Sequence, residues 1–526
     1  MLANDAVGDE TVRVHSSMKT RFIRCGLVLL SISLSHVPRA RADVRLPAIF
    51  SEHAVLQSDV AVPVWGWADA GEKVEVSIAG RTKSATPGAD GKWMVNLEPL
   101  KADAKPMELI VKGKNTLTVK DVLVGEVWLG SGQSNMALQV SRAKDFEQEK
   151  AAANLPEVRM FTVSSGASAK AEDDCKGSWV VCSPETVGSF SAALFFFGRE
   201  IHKVLGGPVG LIHSSVGGTP IESWIAPEAQ KASPELRASF AMTNSADASF
   251  NAEEAKAKYE KALAKWKEDA QAAKAAGKPA PPSPRDPLAQ RARKGNVGGL
   301  FNGKIAPLIP YAIRGALWYQ GEANAGGGKA QLYQYQLPLL VTDWRKRWGC
   351  EFPFAWVQLP NFSRPGDGWP LVREAMLKTL RLPKTGMAIT IDIGEQKNIH
   401  PANKQDVGRR LSLWALGTVY GKKVESTSGP LPAGHEVRSS EFALKFSHAD
   451  GGLAAKGGEV KGFTIAGVDK QWKPAKARIE GDKVIVSSDE VSKPVAVRYA
   501  WQDWPECNLT NGTGLPASPF RTDDWN

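Results

Sequence analysis

The sequence predicts an α/β protein, with a parallel-sheet core over residues 121–421 flanked by β-sandwich-like regions at 43–120 and 422–526. Three observations carry this. Between 121 and 421, apolar runs of strand character alternate with helical segments, as in 192–205 followed by 209–213, which is the pattern of β-α units feeding a parallel sheet. Upstream, the runs 60–67, 73–78 and 93–97 alternate in polarity between Gly, Pro and Asp turns, as strands of a small sandwich do. From 422 onward, β character returns in 442–446, 483–487 and 495–501. At 526 residues the chain is too long for one compact core, so several domains are expected.

Taken in order, residues 1–42 read as an upstream extension followed by a secretory signal. Lys19, Arg21 and Arg24 form a positive start, 25–34 a short apolar core, and Ala40-Arg41-Ala42 a small-residue cleavage site. About ten apolar residues are too few to span a bilayer, so the expectation is an exported protein, secreted or periplasmic, with no membrane span. The run 122–129 ends apolar like a buried strand and delivers Ser134 on a glycine-flanked turn, Gly130-Ser131-Gly132-Gln133-Ser134-Asn135-Met136. Small neighbours there would let a substrate carbonyl approach the hydroxyl. Residues 226–295 interrupt the core. The stretch 252–276 is rich in Ala, Lys and Glu and predicts an exposed helix, and 277–287 is a proline-rich linker. After the apolar run 387–391, the loop Asn398-Ile399-His400-Pro401 offers a base for the serine.

Four strings occur in the order GSGQSNM (130–136), SSVGGTPIESW (214–224), ALWYQGEANA (316–325) and IDIGEQKNIHPANKQDVGRRL (391–411). On these motifs the chain resembles the sialate O-acetylesterase-like carbohydrate esterases, a branch of the SGNH hydrolases, over nearly its whole length from Asp43. The resemblance implies an SGNH-type catalytic domain and a serine esterase that removes O-acetyl groups from carbohydrates without a cofactor. It implies Ser134 as nucleophile and His400 as base. The oxyanion hole would combine the serine's own N–H with Gly217 or Gly218 and a side-chain amide from Asn324, with Gln320 as the alternative. The general SGNH pattern places an aspartate three residues before the histidine, and that position is Lys397 here. Asp392, at the end of the expected strand, is the favoured orienting acid, with Glu395 and a bare Ser-His dyad as alternatives. Glu322, Trp224 and Arg373 are candidate substrate contacts, and Arg373 or Arg345 would pair with a sialic-acid carboxylate. The acetylated sugar itself, on sialic acid or on a hemicellulose such as xylan or xyloglucan, is left open.

Other function classes are weighed on the same residues. Glu222 and Glu322 could form the carboxylate pair of a glycoside hydrolase, and the fold could serve as a non-catalytic sugar-binding pseudoenzyme, against which the intact Ser134 and His400 stand. Glu222 and Glu322 also read as ordinary cap or ion-pair residues, and Trp224, Trp318 and Tyr319 as core aromatics. The eight histidines show no HExxH-like spacing, so no metal site is expected, and His202 and His213 sit in apolar contexts typical of core histidines. Of the net charge of +10, six basic and three acidic residues lie in 1–42, which leaves +7 on the remainder, with no basic stripe interleaved with aromatics. A nucleic-acid partner is therefore not expected. Cys175 and Cys182 flank a short segment and suggest a local disulfide.

Overall fold

The computed structural model describes residues 43–364, 366 and 368–525. The segment read as an upstream extension and signal lies outside them.

The sheet that carries the site is built around one long strand, β1 (Thr116–Gly132). It is followed by β2 (Leu155–Thr162), β3 (Trp179–Cys182), β4 (Val209–Ser215), β5 (Gly315–Tyr319), β6 (Phe354–Val357) and β7 (Thr385–Ala388). Their spatial order is β7-β6-β5-β1-β4-β2-β3, parallel except for the edge strand β3. Strands buried on both faces read as continuous apolar runs, and the end of β1 and all of β5 and β6 do so. Strand order reverses around β1, with β4 and β2 on one side and β5 to β7 on the other. The carboxyl end of β1 therefore faces the crevice at the topological switch point where α/β sheets bind ligands.

β1 also belongs to the N-terminal β region. Its first half pairs antiparallel with Asp103–Lys112, and the expected domain boundary at 120/121 falls inside the strand. The change of role occurs at Asp121, whose φ of 53° is left-handed and where the register shifts as in a β-bulge. Its carboxylate is held there by His53 Nδ1 at 2.5 Å and by Arg159 at 2.5 and 3.3 Å. Opposite this sheet, Val62–Trp67 pairs with Lys92–Leu97, and the residues between share one apolar core with one face of the parallel sheet.

Helix α1 (Ser134–Ala137) leaves β1, and α2 (Ala192–Leu205) covers the other face. The apolar stripe of α2 is buried, Ser191 Oγ caps its start by accepting from Leu194 N, and Gly206 ends it with φ 69°. Helix α3 (Tyr333–Trp348) and α4 (Gly368–Thr379) flank β5 and β6, and α5 (Gln405–Trp414) packs on α2, where a Cβ at Gly408 would meet Phe196 Cβ at 2.5 Å. Residues 227–294 form the helices Pro227–Ala232, Arg237–Ala248, Ala252–Ala275 and Pro287–Lys294. The long one, Ala252–Ala275, buries no residue, as its Ala, Lys and Glu composition predicts.

The C-terminal region contains two antiparallel four-stranded sheets around Phe442, Leu444, Ile465, Val484, Val497 and Tyr499. It is fastened to α4 by Arg521 on Glu374 at 2.9 and 3.1 Å. The expected disulfide does not form: Cys175 and Cys182 are free thiols that belong to different apolar clusters. Burial pushes both thiols up to about 12.

At the end of β1, Gly132 has φ 135°, and a Cβ there would stand 2.2 Å from the Tyr319 carbonyl oxygen. Both objections to a side chain are backbone and cannot relax cheaply, so Gly132→Ala is expected to cost at least about 2 kcal/mol. Thermal unfolding checks this, and an unchanged midpoint would contradict the close approach of β1 to β5.

Candidate active site

The turn that the sequence places after β1 begins with Gln133, whose N–H donates to Tyr319 O at 2.9 Å. Its side-chain Oε1 accepts from Ala323 N at 3.2 Å, so both halves of Gln133 tie the turn to the loop after β5. Ser134 then opens α1 with its hydroxyl at the crevice, and it is only half-buried. His400 comes from the loop between β7 and α5. Its Nε2 lies 2.8 Å from Ser134 Oγ across 266 residues of sequence. The loop after β4 closes the third side: Val216 N donates to Gly132 O at 3.2 Å, and a Cβ at Gly217 would lie 3.3 Å from Ser134 Cβ. Gly218 turns with φ 68°. Neither the Ser134 N–H nor the Gly217 N–H is used in a backbone hydrogen bond among the described residues.

The imidazole is electrostatically neutral in tendency. Burial, and then the cations Lys404 and Arg142, hold His400 below the usual 6.5, so the free base is favoured near neutrality. A base needs this state to accept the serine proton.

Several expected partners stand elsewhere. Asp392 does not reach His400; Arg410 takes it with two hydrogen bonds of 2.6 and 2.8 Å, a bidentate geometry that consumes the carboxylate. Glu395 accepts from Ala402 N at 2.7 Å and from Asn398 Nδ2 at 3.0 Å, so it shapes the histidine loop without touching the ring. Among the described residues no carboxylate contacts the imidazole.

Asn324 and Gln320 are likewise engaged. Asn324 Nδ2 donates to Glu222 Oε2 at 2.9 Å, and its Oδ1 accepts from Ile221 N at 2.9 Å and Gln320 Nε2 at 2.7 Å. Gln320 Nε2 also donates to Thr219 O at 3.2 Å. Both are fully buried, and these amides brace the 219–222 segment that follows Gly217 and Gly218.

Of the expected substrate contacts, none faces solvent. Trp224 is fully buried, donates to Thr219 Oγ1 at 3.0 Å and packs edge-on against Trp318. Glu322 is buried behind the site, bonded to Asn135 Nδ2, and burial pushes its carboxyl up from the ordinary range. Glu222 pairs with Lys329 at 2.8 Å, so the two glutamates are held by different partners. Arg345 donates to Phe352 O, Pro383 O and Lys384 O. Arg373 donates to Leu359 O, Pro360 O, Gln502 O and Asp503 O at 2.7 to 3.1 Å. The reason is shared: each carries hydrogen-bonding groups in a dry interior, where local partners take most of them up. Two residues that the sequence reading left without a role, Asn135 and Lys404, stand directly behind the Ser-His pair; both lie inside the quoted motifs.

Residues 124–275 and 303–414 match the family model described as carbohydrate esterase, sialic acid-specific acetylesterase. The chain is 30% identical to a sialate O-acetylesterase of Rattus norvegicus, with 94% of this chain and 97% of that one covered, and 28% identical to the Homo sapiens sialate O-acetylesterase, with 90% and 92% covered. The crystal structure of a carbohydrate acetylesterase from Xanthomonas citri superposes with a TM-score of 0.78 at 35% identity, covering 92% of this chain and all of that one.

Because Arg373 spans α4 and the C-terminal region, Arg373→Met would leave four carbonyls without a charged donor. The expected loss is about 3 kcal/mol or more, read as a thermal midpoint lower by several degrees. An unchanged midpoint would remove the clamp.

Proposed function

This chain belongs to the sialic acid-specific carbohydrate acetylesterase family, and from that premise we propose that Ser134 and His400 act as a nucleophile–base dyad that removes acetyl groups from sugar hydroxyls. The observation that carries the reading is the 2.8 Å contact between His400 Nε2 and Ser134 Oγ at the switch point of the sheet.

The steps follow from the geometry. Ser134 Oγ attacks the acetyl carbonyl as His400 Nε2 takes its proton. The oxyanion that forms meets the N–H groups of Ser134 and Gly217, backbone donors that need no reorganisation at the moment of reaction. Collapse breaks the bond to the sugar oxygen, which receives the proton from His400. Water then attacks the acetyl-serine, giving up a proton to His400 and returning it to Ser134 as acetate leaves. With no carboxylate at the ring, the cost of forming imidazolium is met by the accessibility of the site to water, since both residues are half-buried at the surface. An open site of this kind suits acetyl groups displayed on a glycan.

Arg373 and Arg345 are both bound to carbonyls, so neither is available to a sialic-acid carboxylate. Arg142, exposed on the turn after the nucleophile, is the cation that an anionic sugar would meet. Acetate release from acetylated sialoglycoconjugates, set against acetylated xylan and xyloglucan, assigns the acceptor class. Among the described residues no helix is long and apolar enough to cross a membrane, and the composition of residues 18–42 supports export to the periplasm or beyond.

Ser134→Ala is expected to lower turnover of a small acetyl ester by well over about a hundredfold with the melting temperature unchanged. A variant that keeps most of its activity would sink the dyad. The base must be neutral to act, so kcat/KM should fall as pH drops through the lowered pKa of His400, with the acid limb centred below 6.5. An acid limb centred above that value would contradict the electrostatics of the site.

A further inference from the structure

The loop that carries His400 is gripped from inside the protein through the carbonyls of the residues on either side of the histidine. Asn135 Nδ2 donates to Ile399 O at 2.9 Å, and Lys404 Nζ donates to Pro401 O at 2.5 Å. The two donors are joined, because Asn135 Oδ1 accepts from Lys404 Nζ at 3.0 Å, and Asn135 Nδ2 also donates to Glu322 Oε1 at 2.5 Å. Asn135 and Lys404 are fully buried and Glu322 is 3% exposed. A lysine and a glutamate in such a place are costly unless each is satisfied. The amide of Asn135 serves both, presenting oxygen to the ammonium and N–H to one carboxylate oxygen, Glu322 Oε1, with Oε2 left outside this network.

We propose, on the reading of Ser134 and His400 as nucleophile and base, that Glu322, Asn135 and Lys404 are the positioning residues that aim His400 at Ser134 in place of an orienting carboxylate. The physical route is short. Holding the peptide plane before His400 at Ile399 O, and the chain one peptide beyond the plane that follows it at Pro401 O, restricts the direction of the His400 Cα–Cβ bond, and among the described residues the ring then has Ser134 Oγ to settle against. Asn135 is the residue after the nucleophile, so the grip on the base and the nucleophile itself share the helix α1 and cannot drift apart independently. A second grip, made by Asn398 on the N–H and carbonyl of His400 at 3.1 and 3.0 Å, lies on the exposed side where water competes.

The charges around the ring give a readout that a merely structural role would not move. Lys404 faces His400 from the start of α5 and Arg142 from the turn after α1; both depress its pKa, while Glu395 in the same loop is held by Ala402 N and Asn398. The double variant Lys404→Met/Glu322→Gln removes both buried charges together and keeps the side-chain volumes, so that no unpaired charge is left inside. With a small acetyl ester, kcat is expected to fall about tenfold or more with KM within about twofold, and the acid limb of the pH profile to move upward as one of the two cations disappears. Asn135→Ala should show the same fall in kcat without that upward movement of the limb. If Ser134→Ala is inactive while the double variant and Asn135→Ala both keep wild-type kcat per folded molecule and an unmoved acid limb, this inference fails and the dyad stands. If Ser134→Ala retains activity, the dyad fails, and the positioning role falls with it.

Discussion

The whole molecule depends on the course of one strand. Thr116–Gly132 begins as a partner in the N-terminal antiparallel sheet, bends at Asp121, continues as the central parallel strand, and ends against the carbonyl of Tyr319, where only a glycine fits. The left-handed backbone at Asp121 would be unfavourable alone; the two partners of its carboxylate, His53 and Arg159, offset it. Because the strand is buried on both faces beyond that point, its register has no freedom, and the position of Ser134 follows from it. The N-terminal β region is therefore not a detachable ornament: it shares a core with the sheet whose end carries the nucleophile.

Around the histidine, the arrangement differs from a triad in a physically informative way. An orienting carboxylate does two things, holding the ring and stabilising the imidazolium. Here the acid nearest in sequence to the strand end, Asp392, is neutralised by Arg410, and the charges that reach the ring are positive. Orientation and charge are thereby separated. The loop is shaped by hydrogen bonds to peptide groups, and the depressed basicity keeps the imidazole unprotonated over a wider pH range. Burial of Lys404 acts on that lysine in the same direction, lowering it to about 7.

The amide pair Gln320 and Asn324 shows how a residue can lie in the right motif and serve the site at one remove. Their hydrogen bonds go to Thr219 O, Ile221 N and Glu222, which bracket the loop that brings Gly217 against Ser134. The C-terminal sheets act at a greater remove still, through Arg373 of α4 and through Arg521, which bonds Glu374 of the same helix. The helical insertion buries little and stays on the surface.

What the sequence by itself determined was everything governed by local pattern. The α/β class, the helix at 192–205, the exposed helix beginning at 252 and the strand 483–487 followed from periodicity and composition, because each signal is contained within a short stretch, while Ser134 and His400 were singled out together by the resemblance that the four ordered motifs carry. What only the tertiary structure decided were the partners. Asp392 and Arg410 are 18 residues apart, Arg373 meets carbonyls at 502 and 503, and Asn135 meets Glu322 and Lys404 across 187 and 269 residues. A carboxylate, an amide or a guanidinium carries the same letter whether it faces substrate or a buried carbonyl. Its role is settled by which unsatisfied group the fold brings within 3 Å, and that depends on how distant strands and loops come together.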